Sequence, residues 1–460
     1  MLQYRKNNMH RYLPLILFLT VPFAARAEDI PPRGPLRLSL KHAVEVSLSP
    51  EGNTYIQLSN ESVRQAKSRS AQARSAFLPD VEAQAGQQST MRSLAALGLN
   101  IGIADLNLPF RLDVPSVVGP YNVVDVRATV TQSVFDFANI RRYQASRAAV
   151  RASQSDRGHA DNAVSATVAK AYLAALRADA DVEAGQANTS LAEAVLKQSQ
   201  NQKDAGTGTG IEVTRAKVQL SNEQQRLLVA KNQRTKAYLQ LLRAMGLNLA
   251  TELELTDKLS FQPVDPVTVE QARAEALKTR PDVKAQEARE NAARLNASAV
   301  KLERLPNMVA FADYGTTGIN GTAVSLLPTR DYGFGLRVPI FDGGRRDARR
   351  AETASQYRQE RVRTNDLREQ VELDIRTALD SLHSAREQFQ VAQEGLTLAE
   401  SELTQARRRY AAGFASNLEV TDAQTRLERA RDNQIAALFG YNVARIDLGQ
   451  AMGNVQRMIQ

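Results

Sequence analysis

The longest regular pattern in the chain is a heptad of apolar positions. Leu367, Val371, Ile375, Ala378, Leu382, Ala385, Phe389, Ala392, Leu396, Ala399, Leu403, Ala406 and Tyr410 recur, after the first steps, at alternating intervals of three and four. A mean period of 3.5 predicts a left-handed coiled coil. The same register runs earlier through Val164, Val168, Ala171, Ala175, Ala178, Val182 and Leu196, with Gly185, Thr189, Ala192 and Ser199 between them. Those small side chains let a neighbouring helix approach closely. Phe137 to Gly206, if one helix, reaches about 100 Å. No compact domain needs that length; a tube or a stalk does.

A second pattern has a period of two. In Tyr332 to Ile340, Tyr332, Phe334, Leu336, Val338 and Ile340 share one face, and Gly333, Gly335, Arg337 and Pro339 the other. Val124, Val126, Ala128 and Val130 oppose Asp125, Arg127 and Thr129, and Val81, Ala83 and Ala85 oppose Glu82, Gln84 and Gly86. Met308 to Gly315 reads as a fourth, less regular strand. Apolar-out with polar-in suits a lipid-facing barrel around water; a soluble sheet with one buried face has the same period. Four strands cannot enclose a lumen, so a barrel requires several chains. The connections Arg92–Pro120 and Gly318–Arg330 would then face outward, as the longer loops of outer-membrane barrels do.

Both patterns occur twice. Setting Gly206 on Gly413 lays Glu212-Val213-Thr214 on Glu419-Val420-Thr421, Ala216 on Ala423 and Leu220 on Leu427. Ala237, Leu241, Ala244, Met245 and Gly246 then fall on Ala444, Leu448, Ala451, Met452 and Gly453. An internal repeat takes precedence over other fold arguments. Each copy opens with a polar helix, Leu40–Phe77 or Thr268–Arg304, closed by Leu78-Pro79 or Leu305-Pro306, where proline stops a helix. Two strands follow, then a long helix into a glycine turn, then a returning helix. The expected division is a first repeat over 28–248, a linker over 249–267 and a second repeat over 268–460. The expected class is mainly α with β: long coiled-coil helices joined to four strands per chain.

Composition narrows the address. Arg5, Lys6 and Arg11, the apolar run Tyr12–Ala24 and Ala25-Arg26-Ala27 read as a secretory signal peptide over 1–27. There is no cysteine, which excludes disulfides and a lipid anchor on a thiol. No other stretch approaches the roughly 20 apolar residues of a membrane helix, so a membrane-spanning form would have to be a β-barrel. The net charge of +9 is spread among acids along the helices, which reads as solvated faces and not a nucleic-acid footprint. No catalytic constellation is present. His42, His159 and His383 stand apart, without a second ligand at metal spacing. GTGTG at Gly206 lacks the Lys-Ser/Thr of a phosphate loop and follows no strand. The expectation is a protein that is not an enzyme, with no cofactor and no metal.

With the signal peptide and duplicated unit, the motifs LPx after each first helix, FDxGRR from Phe341, and RYxxGxxSxxEVxDAQ from Arg409 to Gln424 resemble the TolC-like outer-membrane efflux channels. The resemblance covers roughly Leu38 to Gly453. It implies a homotrimer whose chains share a twelve-stranded barrel in outer-membrane lipid and a helical tube across the periplasm. It implies partners too: a periplasmic adaptor and an inner-membrane pump. The tips Gly206, Thr207, Gly208 and Thr209, and Gly413, Phe414, Ala415 and Ser416, would dock the adaptor. Glu419 and Asp422, six and nine positions beyond the second tip glycine, would ring the closed mouth as gate and selectivity acids. Glu212 and Tyr410 would take part in a lock. The family's arginine partner for that lock falls on Ala415, which leaves Arg408 or Arg409 as substitutes. The other reading of helices, sheet and signal peptide is a structural or adhesive coiled-coil envelope protein without transport.

Overall fold

The structure, a computed structural model, describes residues 35–93, 96, 117–319 and 326–459. The expected signal peptide and most of the expected Arg92–Pro120 loop lie outside them. The first half runs β1 (Leu36–Leu38), α1 (Leu40–Leu48), α2 (Thr54–Ser75), β2 (Asp80–Ser93), β3 (Val117–Phe135), α3 (Phe137–Asp204) and α4 (Gly210–Met245). The second runs β4 (Leu253–Leu255), α5 (Val269–Thr279), α6 (Pro281–Leu302), β5 (Asn307–Ile319), β6 (Leu327–Arg337), α7 (Arg345–Ala411), α8 (Asn417–Ala451) and a final turn, α9 (Gln456–Ile459).

Each opening helix expected as one piece is two. The chain leaves α1 at Ser49 with ψ 153°, extended because Pro50 follows, and Asn53 restarts it by accepting the Tyr55 amide at 2.7 Å. Arg280 has ψ 121° for the same reason, and Pro281 opens α6, where its missing N–H costs nothing. The strands outrun their alternating cores, so the connections are shorter than Arg92–Pro120 and Gly318–Arg330. At the other end, Val338–Ile340 falls outside β6.

The four long strands form one antiparallel sheet in the order β2-β3-β5-β6. Its register puts the apolar residues on one face: Val81 opposite Val130, Val130 opposite Ala312, and Ala312 opposite Tyr332. That face is bare in the single chain, with Tyr332 80% and Phe334 75% exposed. The other face is polar. Arg127 pairs with Asp125 at 3.0 Å and reaches Asp313 at 3.6 Å. Gly315 makes room for it; a Cβ there would lie 2.5 Å from that of Arg127. β2 and β6 are the sheet's two edges.

α3 and α7 have 68 and 67 residues, about 100 Å each. α7 buries Val371, Ile375 and Ala378 towards one end and Ala399, Leu403, Ala406 and Tyr410 towards the other. Between them Leu382, Ala385, Phe389 and Ala392 are only half-buried. There the linker intervenes: Phe261 stacks on Phe389 at 5.0 Å and on Tyr441 of α8 at 4.5 Å. α3 buries more than its heptad, including Ala166, Ala169 and Tyr172, because it packs against α1, α2, α4, α6 and α8.

β1 and β4 pair in parallel, Leu36 opposite Leu253, and Tyr172 fastens them to α3. Its hydroxyl lies 2.9 Å from both the Leu38 carbonyl and the Asp257 carboxylate. Burial, then the bond to Asp257, pushes the phenol far above its usual range, so it stays a donor at physiological pH. The Leu38 carbonyl also accepts the Thr256 amide at 3.0 Å and Asp257 the Leu40 amide at 2.7 Å. Tyr172→Phe therefore removes one donor without stranding either group and is expected to cost about 1 kcal/mol, read as a lower unfolding midpoint in detergent. An unchanged midpoint would show that the clasp carries no energy.

Candidate docking and gating end

The sheet lies at one end of the long helices and two glycine turns at the other. α3 stops at Asp204, Gly206 adopts φ 74°, and Thr207 donates its amide to the Gln202 carbonyl at 2.9 Å. α7 stops at Ala411, Gly413 adopts φ 76°, and Phe414 donates to the Arg409 carbonyl at 2.9 Å. Both are Schellman stops, whose left-handed residue favours glycine. Added Cβ atoms at Gly206 and Gly413 would meet nothing within 4 Å, so backbone angle alone requires glycine. Thr209 and Ser416 then start the returning helices.

The equivalent acids beyond the two turns are used differently. Glu212 accepts the Thr209 amide at 2.9 Å, an acid at a helix N-terminus. Glu419 instead faces Arg409 at 3.3 Å; Arg408 is exposed. Asp422 is exposed one turn beyond Glu419 and has no ion pair among the described residues. Arg426, four residues on, turns to Glu402 across the hairpin.

Tyr410 is buried where the two hairpins meet. Its hydroxyl donates to the Gln202 side chain and not to Glu212. Burial raises its phenol pKa, and the nearby Glu212 charge adds to the rise. Beside it Asn417 donates to Ser199 Oγ at 2.8 Å, and Thr421 donates to Asn417 Oδ1 at 3.1 Å. Val195, Leu403, Ala406, Val420 and Ala423 pack around this polar knot. Sequence reasoning missed Gln202 and Asn417, and read Ser199 as a small packing residue. Ser199 and Gln202 fall just before the first tip and Asn417 just after the second, and nothing in the sequence alone marks them as partners.

The turns also present apolar surface. Phe414 is 79% exposed, and Ile211 and Leu418 beside the tips are exposed as well; Thr207, Gly208 and Ala415 complete the loops. Among the described residues no three metal-ligating side chains gather, and no helix is long and apolar enough to cross a membrane.

Residues 50–247 and 272–454 match the family described as outer membrane efflux protein. The pyoverdine export outer membrane protein OpmQ of Pseudomonas putida is 26% identical over 305 residues, 66% of this chain and 64% of that protein. The alkaline protease secretion protein AprF of Pseudomonas aeruginosa is 21% identical over 320 residues, 69% and 66% of the two chains. The chain thus spans just under two thirds of the length of these curated relatives. The crystal structure of the Campylobacter jejuni CmeC outer membrane channel superposes with a TM-score of 0.75 at 17% identity, covering 90% of this chain and 85% of that one.

Proposed function

Because the chain belongs to the outer membrane efflux protein family, we propose that it is the outer-membrane duct of a tripartite efflux or type I secretion system, open passively through membrane and periplasm. The observation that carries this reading is the sheet. It has one apolar face bare among the described residues, one polar face holding Arg127, and two edges, β2 and β6, without a neighbouring strand among the described residues. Such a sheet is satisfied in lipid only by closing on copies of itself. Three copies give twelve strands, wide enough for a water-filled lumen.

The helices support the same closure. α4 and α7 are the outer members of the wall α4-α3-α8-α7, and each leaves an apolar stripe uncovered: Val218 and Val229 on one, Val362, Leu373, Val391 and Leu398 on the other. These stripes meet between neighbouring copies. The two halves, 28–248 and 268–460 around the segment 249–267, are then two copies of one strand-and-hairpin unit. The exposed Phe414, Ile211 and Leu418 form the docking rim for a periplasmic adaptor fed by an inner-membrane pump. Glu419 and Asp422 edge the mouth, with Tyr410 on Gln202 and Asn417 on Ser199 behind them holding the hairpins together, while Glu212 caps the start of α4. One duct serves chemically different cargo: the relatives are named for pyoverdine export and for protease secretion, and the pump selects.

The full-length protein, extracted in mild detergent, is expected to run as a trimer and to give discrete single-channel currents in planar bilayers. A monomer without conductance would favour a structural or adhesive envelope protein.

A further inference from the structure

One charged side chain lacks the partner that its burial demands. Arg445, on α8, is 5% exposed. Among the described residues no carboxylate pairs with it. One of its terminal nitrogens donates to Gln262 Oε1, and its Nε has no acceptor. Burial draws its pKa below the usual arginine value, with only the neighbouring Tyr441 opposing. Unpaired buried charges are costly and uncommon in folded proteins.

Arg445 is not needed to hold the linker. Tyr441 already donates to the Gln262 carbonyl at 2.9 Å, and Asn442 donates to the Ser260 carbonyl at 3.1 Å. The guanidinium instead lies at the floor of a cavity of about 380 Å³ between α1, α3, α8 and the linker. Lys41 and Lys258 stand at its exposed rim. Among the described residues the only acid in the lining is Asp257, and it is committed elsewhere: its Oδ2 accepts the Leu40 amide at 2.7 Å and the Tyr172 hydroxyl at 2.9 Å. Three cations against one engaged acid leave the cavity positive.

We propose that this cavity binds a compact oxyanion, a phosphate or carboxylate group, with Arg445 as its floor ligand and Lys41 and Lys258 closing on it from the rim. The planar guanidinium fork suits such groups, and its second terminal nitrogen, without a hydrogen bond among the described residues and not closed off as the Nε is, is the donor the anion would take. The volume admits a small molecule. Bound there, the anion neutralises Arg445 and ties the linker to α1 and α8, at mid-height of the helical wall and far from both the tips and the sheet.

The test titrates inorganic phosphate, and separately acetate, into delipidated full-length protein at constant ionic strength, read by calorimetry and by thermal shift. Native mass spectrometry of the protein as extracted asks whether an anionic phospholipid headgroup fills the site instead. Saturable binding of phosphate or acetate, or lipid retained by the wild type, is expected. Arg445→Leu should weaken it at least about a hundredfold, as removing one partner of a buried charge pair does. Lys41→Ala with Lys258→Ala, on the exposed rim, should weaken it roughly tenfold. If Arg445→Leu does not fold, the rim variant decides. No phosphate, acetate or lipid bound by the wild type, or equal affinity in every folded variant, overturns the proposal.

Discussion

Asp422→Ala is expected to abolish block of the channel by divalent cations, while Glu419→Ala leaves most of that block in place. The two acids are one turn apart near the start of α8, but their surroundings differ. Glu419 has Arg409 3.3 Å away, which cancels its charge at the mouth even though so exposed a pair adds little to stability. Asp422 has no such neighbour. Three-fold repetition would bring three uncompensated carboxylates together, a ring that holds a divalent ion. If each contributes about 1 kcal/mol, the blocking affinity falls roughly a hundredfold when all three are removed. Planar-bilayer recordings with added magnesium check this. The gate reading fails if wild type and Asp422→Ala are blocked alike. Arg409→Ala should act in the opposite direction, strengthening block by freeing Glu419.

The largest expected loss of stability is at Arg280, 8% exposed in the bend between α5 and α6. Its guanidinium binds Asp282 at 2.8 Å, Asp374 of α7 at 2.9 Å and the Ala451 carbonyl of α8 at 3.1 Å. A Cβ on Gly453 would lie 2.7 Å from the Arg280 Cα, so the backbone there is close-packed too. Arg280→Ala strands two acids in a buried joint and is expected to cost about 3–5 kcal/mol, read as a lower midpoint in chemical unfolding. A midpoint within error of wild type would count against it. Acid should separate this joint from the rest of the wall. Burial alone would raise the Asp282 carboxyl, but Arg280 overrides it and holds the group below the ordinary aspartate range. Its contribution is therefore present above that range and lost as pH falls through the depressed value. Asp181, Glu223 and Asp432 are raised, chiefly by burial, so protonating them favours the folded state as pH falls through their higher values. The Arg280→Ala variant should lose the low-pH decline and keep the gain in milder acid.

Much of this architecture is written in periodicity. The heptad from Val371 to Tyr410 marks the seam of α7, and the alternation at Tyr332, Phe334 and Leu336 marks the outer face of β6, because long elements repeat one packing demand many times. Short or one-off contacts leave no such trace. β1 and β4 are three residues each, and their pairing depends on Tyr172, more than a hundred positions from β1. Phe261 interrupts the α7–α8 seam from a linker with no pattern of its own. The breaks at Pro50 and Pro281 are marked in the sequence only by a proline within a polar helical run, a position a helix can also tolerate at its first turn. At the tips, spacing from the glycines picks out Glu419 and Asp422, but not that Arg409 neutralises one and leaves the other bare. Gln202 and Asn417 look like ordinary surface polar residues until the fold brings two hairpins together.

The two uncovered edges of the sheet also set a condition on how the protein is made. A chain released singly into water carries two rows of unsatisfied backbone groups beside an apolar face, a template for indiscriminate pairing. Its helices and the three strand pairings within the chain need no second copy, whereas in the proposed closed barrel the outer edges of β2 and β6 would find partners only beside other copies. Biogenesis is then expected to be ordered: helices and inner strand pairings first, outer edges last, with an escort shielding β2 and β6 until several copies reach the membrane together.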